Sequence, residues 1–150
     1  PLTLRMRNKS DLRTQFAALC YRTRKDKPEI LLITSRGSGR WIIPKGWPMT
    51  GKTPGECALI EAWEEAGVQG KASEQCLGLF SYNKIDDAGE SLPCVGLVFP
   101  IKVKCLAKTY PEADQRRRKW LRPKKAAALV AEPELSVILR HFDLGQLARK

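Results

Sequence analysis

The stretch Gly46–Val68, G-W-P-M-T-G-K-T-P-G-E-C-A-L-I-E-A-W-E-E-A-G-V, constrains this chain more than any other. Thr53-Pro54-Gly55-Glu56 opens a helix, with Thr at the N-cap, Pro at the first helical position and Glu three residues after the cap. Gly67 can end that helix in the left-handed conformation. Between these signals, Glu61, Glu64 and Glu65 follow the spacing E-x-x-E-E. At about 100° per residue, Glu64 lies about 60° to one side of Glu61 and Glu65 about 40° to the other, so all three acids share one face. Leu59, Ala62, Trp63 and Ala66 fall between about 100° and 200° and form an apolar stripe that packs on a sheet, leaving the acids facing a cleft. Glu56, at about 220°, lies away from them. Three like charges that close repel one another. A hard divalent cation relieves the repulsion, and magnesium prefers carboxylate and phosphate oxygens. The pattern is a metal-site signature, weighed against a merely solvated acidic helix face.

With 150 residues, 43% of them hydrophobic, the chain is sized for one domain with one sizeable core. Its longest apolar run, Cys94 to Ile101, contains Gly and Pro and is strand-sized, so no membrane partner is expected. The start, Pro1 to Lys9, lacks the apolar stretch of a secretory signal. Five widely spaced cysteines without a C-x-x-C pair argue against a disulfide framework or zinc site and for a reducing cytoplasm. Each is expected to act as a small buried hydrophobe. Twenty-seven basic against sixteen acidic residues give +11, which suits nucleic acid, an anionic membrane, a polyanionic small molecule or simply a soluble basic surface.

Residues 1–12 read as a basic arm and 13–145 as a single domain. Strands are expected over Thr14–Thr23, Glu29–Ser35, Trp41–Pro44, Gln75–Lys84, Leu92–Lys104 and Arg116–Leu121, the fifth almost wholly apolar and therefore central. Helices follow at Lys124–Ala131 and Pro133–Phe142. Alternating strands and helices imply an α/β fold with a mixed sheet covered on its faces.

Gly46–Val68 resembles the Nudix box, G-x5-E-x7-R-E-U-x-E-E-x-G-U, where U is bulky and aliphatic. Gly46, Glu61, Glu64, Glu65, Gly67 and Val68 occupy its positions, whereas Lys52, Ile60 and Ala62 replace its first Glu, its Arg and an aliphatic residue. F-A-A-L-C-Y-R, E-I-L-L-I-T-S-R, R-W-I-I-P-K-G and R-R-R-K-W-L look most like the diphosphoinositol polyphosphate phosphohydrolase branch. The W-x-x-P-K-G element also occurs among Nudix dinucleoside polyphosphate hydrolases. The resemblance implies a Nudix fold, a mixed β-sheet sandwiched between α-helices. It also implies Mg2+ or Mn2+ held by Glu61, Glu65, Glu64 and the Gly46 carbonyl, with Glu64 a ligand or a general base. Water would then attack one phosphorus of a P–O–P linkage in an anionic diphosphate-containing small molecule. In the family the box Arg supports the glutamates, so Ile60 removes an orienting cation.

Arg13, Arg36, Arg40, Lys45, Lys52 and Arg116 are the candidate phosphate contacts, each weighed against an ordinary surface charge. For an additional acid outside the box, Glu90 and Glu112 both occupy loops, and nothing selects between them. Trp41 and Trp120 read as packing residues, and His141 as structural or exposed. Two other outcomes stand beside the diphosphoinositol reading. One is a hydrolase of a dinucleoside polyphosphate or nucleoside diphosphate derivative, with Tyr82 or Tyr110 stacking a base. The other is a weakened domain that binds polyphosphate or RNA through Arg116–Lys119. Nucleic acid is not favoured, because no RNA-binding motif is present.

Overall fold

The computed structural model describes residues 13–147. The basic arm expected at 1–12 lies outside the described residues. Strands β1 (Arg13–Arg24), β2 (Lys27–Thr34), β3 (Trp41–Ile42) and β4 (Lys45–Gly46) precede helix α1 (Pro54–Ala66). Then come β5 (Val68–Ala72), β6 (Gly78–Ile85), β7 (Ser91–Leu106), β8 (Arg118–Leu121), α2 (Pro123–Leu129) and α3 (Pro133–Arg140). A 3-10 turn at Leu144–Gln146 closes the described chain.

The sheet is built around two long strands. β1 and β7 run parallel, from Arg13 opposite Cys94 to Tyr21 opposite Lys102. The first half of β7 pairs with β6 and the second with β5, both antiparallel. The start of β1 takes β4 at Phe16–Ala17, and its end takes β2, which carries β3 and β8. β7 is thus interior, as its apolar run implied.

Alternation along the strands divides the core into two layers. Ala17, Leu19 and Tyr21 of β1, with Ile30 and Leu32 of β2, pack against Ala126 and Ala127 of α2 and Leu135 and Leu139 of α3. Ala18, Cys20, Leu31 and Ile33 pack on the other side with Ala58, Ala62 and Ala66 of α1. Both faces are covered, so β1 and β2 read as nearly unbroken hydrophobic runs rather than alternating ones.

Some expectations change. β5 was not anticipated: V-Q-G-K-A is short and carries a Gly whose close neighbour is the Lys102 carbonyl, at an irregularity of the β5–β7 ladder. Cys20, Cys57 and Cys94 are buried, but Cys76 and Cys105 are exposed, because they sit before β6 and on the outer face of β7. Trp63 is only half-buried, whereas Glu65 is buried. Glu65 stands beside Ala58 and Ala62 on the helical wheel, so the packed face of α1 reaches further toward the acids than the apolar stripe suggested.

Candidate active site

Helix α1 is tied at both ends. Thr53 Oγ1 accepts from the Glu56 N–H at 3.1 Å, and Glu56 Oε1 accepts from the Thr53 N–H at 2.8 Å. Glu74 adds a second anchor, accepting from Thr53 Oγ1 at 2.7 Å and from the Gly55 N–H at 2.9 Å, where a negative charge suits the positive end of the helix. Gly67 follows at φ 67°, and Arg118 Nη1 donates to the Ala66 carbonyl at the C-terminal end, 3.0 Å away. The helix itself contains four glutamates and no cation.

Its acids meet a glycine. A Cβ built on Gly46 would lie 2.2 Å from Glu61 Cδ, so only glycine lets that carboxylate sit against β4. Glu61 and Glu65 lie close enough that each acts on the other's carboxyl. Burial is the main cause that lifts the Glu65 carboxyl to about 8, opposed by Arg116 and Lys45 and reinforced by Glu61. Burial also raises Glu61. Glu64 is half-buried, and its backbone carbonyl accepts from the Glu112 N–H at 3.0 Å.

Glu65 opens onto a cavity of about 520 Å³. Arg36, Arg40, Lys45, Lys84 and Arg116 line it against two acids, Glu65 and Glu132. The strands and loops that converge there bring the predicted Arg36, Arg40, Lys45 and Arg116 together. Arg13, at the start of β1, and Lys52, exposed in the turn before α1, are not among the lining residues. Burial holds the Lys45 ammonium below its ordinary range, while Glu65 and Glu132 pull it back up. Arg40 pairs with Glu132 at 3.4 Å, and the other oxygen of Glu132 is buried without a hydrogen-bond partner among the described residues.

Within the basic run, only Arg116 reaches the cavity. Arg118 is held by the carbonyls of Ala66 and Ala107 and lies 4.8 Å over the Tyr110 ring. Arg117 and Lys119 flank Trp41 at 5.6 and 6.0 Å. Of the two candidate acids, Glu112 stands by the helix, accepting from Arg116 Nε at 2.7 Å, whereas Glu90 lies in the exposed β6–β7 turn. Tyr110 is buried beneath Gly67 and cannot stack a base. Tyr82 lines the cavity, but its ring is stacked on Phe80 and approached by Lys45 Nζ at 5.0 Å, and its hydroxyl is bonded to Gln15. His141 is exposed at the end of α3, and Trp41 and Trp120 pack against the two core layers. Gln15, Asn83, Lys84 and Glu132 escaped sequence reasoning, because the fold brings them in from separate elements without a local motif.

The NUDIX domain model matches residues 13–142. The chain belongs to the Nudix family. A Nudix hydrolase 13, mitochondrial, of Arabidopsis thaliana is 32% identical over 123 residues, 79% of this chain and 61% of that protein. The human diphosphoinositol polyphosphate phosphohydrolase 3-alpha is 40% identical over 68 residues, 45% of this chain and 41% of its own length. The chain thus spans less than two thirds of these curated relatives. Among solved structures, a C. elegans Ap4A hydrolase superposes with a TM-score of 0.61 at 20% identity, covering 87% of this chain and 95% of that one, a likeness of fold.

The Nudix helix in this chain fits a divalent cation. Among the described residues no three His, Cys, Asp or Glu side chains form a ready-made cage. Magnesium, however, is commonly held by one or two carboxylates together with substrate phosphates. Glu61 sits against Gly46, where only a glycine leaves its carboxylate room, and Glu65 is buried one turn further along the helix, so the two acids can offer oxygens to one cation.

Proposed function

We propose that this Nudix domain is a divalent-cation-dependent pyrophosphohydrolase acting on a small, highly anionic substrate of the diphosphoinositol polyphosphate kind. The observation that carries this is that Glu65, buried beside the half-buried Glu61, opens onto a cavity walled by five cationic side chains. Glu61 and Glu65, with the Gly46 carbonyl, would hold Mg2+ or Mn2+. When bound, the ion neutralises phosphate oxygens and makes water acidic enough to attack near neutral pH.

Arg36 and Arg40, whose side chains are 59% and 53% exposed, remain accessible to phosphate oxygens and offer planar forks. Lys45 supplies a point charge deeper in, strengthened by its dry surroundings. Water attacks one phosphorus, the bond from that phosphorus to the bridging oxygen breaks, and the oxygen leaves on the other phosphate. The water's proton passes to a helix carboxylate. Glu64 is the acid not taken up by the Glu61–Glu65 pair. The engaged rings of Tyr82 and Tyr110 favour a phosphate-rich substrate over one recognised by base stacking.

A second reading, hydrolysis of a dinucleoside polyphosphate, draws on Trp47, an aromatic 38% exposed beside Gly46. Phosphate release with Mg2+ should be measured across diphosphoinositol polyphosphates, diadenosine polyphosphates and ADP-ribose. Turnover fastest on the first class, abolished in Glu65→Gln, is expected. Preference for diadenosine polyphosphates, lost in Trp47→Ala, would favour the second reading. No turnover on any of them would remove the enzymatic assignment.

A further inference from the structure

Helix α1 carries four glutamates and no lysine or arginine, so whatever orients its acids must come from another element. Ile60, where the Nudix box has Arg, cannot supply it. On the wheel it also lies about 140° from Glu65. Arg116, from the loop before β8, enters the space. Its Nε donates to Glu112 Oε1 at 2.7 Å, its Nη1 to the Thr34 carbonyl at 3.0 Å, and its Nη2 faces Glu65 Oε1 at 3.8 Å. All three guanidinium nitrogens thus face protein oxygens, and the side chain is 7% exposed.

Arg36 and Arg40 differ sharply. Each lines the same cavity with more than half its side chain in solvent. A guanidinium spent on protein acceptors and sealed from water is badly placed to clamp phosphate. It is well placed to fix a carboxylate, because its planar fork leaves little freedom once two of its directions are taken. Thr34 is itself held: its backbone N–H donates to the Arg117 carbonyl at 3.1 Å, and its Oγ1 accepts from the Arg117 N–H at 2.8 Å. The fork is therefore braced by β2 on one side and by Glu112 on the other.

We propose that Arg116 is a positioning residue that has taken over the orienting role left open by Ile60. It holds one Glu65 oxygen so that the other stays directed toward the cation, and it does not bind substrate. This rests on the assignment of Glu61 and Glu65 as the cation-holding pair. It also explains how a box without its arginine can keep an ordered acid.

The test uses the full chain and Mn2+ alone as probe, with two charge-conserving variants, so that only geometry changes. Arg116→Lys keeps the charge but loses the three-way fork. Glu112→Asp keeps the charge but withdraws the shortest tether. Groups that orient metal ligands typically contribute about 10–100-fold in affinity or activity. Arg116→Lys is expected to weaken Mn2+ binding about tenfold or more, and to lower kcat by about 10–100-fold with KM within about threefold of the unmodified chain. Glu112→Asp should move the same quantities in the same direction by a smaller factor, with a melting curve close to that of the unmodified chain. Unchanged Mn2+ affinity in a folded Arg116→Lys protein would overturn the proposal, as would a loss confined to KM. Should Arg116→Lys fail to fold, unchanged Mn2+ affinity in Glu112→Asp would overturn it equally. Failure of every substrate to turn over would defeat the hydrolase assignment alone, since Mn2+ affinity still decides the role of Arg116.

Discussion

Gly46 and Glu61 lie so close that a single methyl group on the glycine would collide with the carboxylate. Gly46→Ala leaves the backbone conformation open to alanine but places a Cβ on the Glu61 carboxylate. Displacement of a reacting group by about 1 Å can cost about 10²-fold in rate. Gly46→Ala is therefore expected to fold, to bind Mn2+ at least about tenfold more weakly, and to lose about 10²-fold in kcat. Titration calorimetry and steady-state kinetics check both. Glu65 makes a pH prediction. Its folded carboxyl is raised to about 8 from 4.5, so the fold prefers it protonated. That contribution to stability is fully present below about 4.5 and is lost as pH rises toward 8. In metal-free protein, Glu65→Gln should remove this decline and stabilise the chain at pH 7 by about 1–3 kcal/mol, read from urea unfolding at pH 5 and 7. Mn2+ must displace the same proton, so its affinity should rise with pH over that window. The E-x-x-E-E spacing made the acids legible in the sequence. Arg116 was legible as a basic residue near the site but not as the ion-pair partner of Glu65. Glu132 and Gln15 were not legible at all, because they reach the cavity from the α2–α3 junction and β1, at sequence distances that no local motif spans.

Helix α1 was the most legible element, since both its stops are written in residue types: the Thr53–Glu56 box and Gly67. β5 was not legible. Its five residues gain their strand character from pairing with β7 rather than from their own pattern. The run R-R-R-K was legible as basic but not as divided labour, because alternate residues along a strand point to opposite sides. Arg118 shows the consequence. It donates to the carbonyls of Ala66 and Ala107, so its loss should be felt as stability rather than as catalysis. Arg118→Met is expected to cost about 1–3 kcal/mol in denaturant unfolding, with KM changed less than about twofold. Thr53→Ala should cost about 1–2 kcal/mol, as it removes both the cap and the bond to Glu74, again without a large kinetic effect.

At the scale of the molecule, two apolar layers hold a mixed sheet whose β1 and β7 both face helices, and that arrangement was legible from near-continuous strands alternating with helices. What composition could not locate was where the +11 charge acts. The cavity collects part of it, so substrate capture should weaken as ions screen it. Raising ionic strength from about 0.05 to 0.3 M is expected to increase KM severalfold while kcat holds within about twofold. A flat KM would mean that the cationic walls do not recruit substrate. The central claim is that a divalent cation is held between α1 and β4, and its most direct measurement is the anomalous X-ray signal of crystals grown with Mn2+. A peak in contact with the carboxylates of Glu61 and Glu65, absent in Glu65→Gln, is the predicted result. A fully occupied Mn2+ elsewhere, with none between Glu61 and Glu65 in protein that turns over substrate, would contradict it.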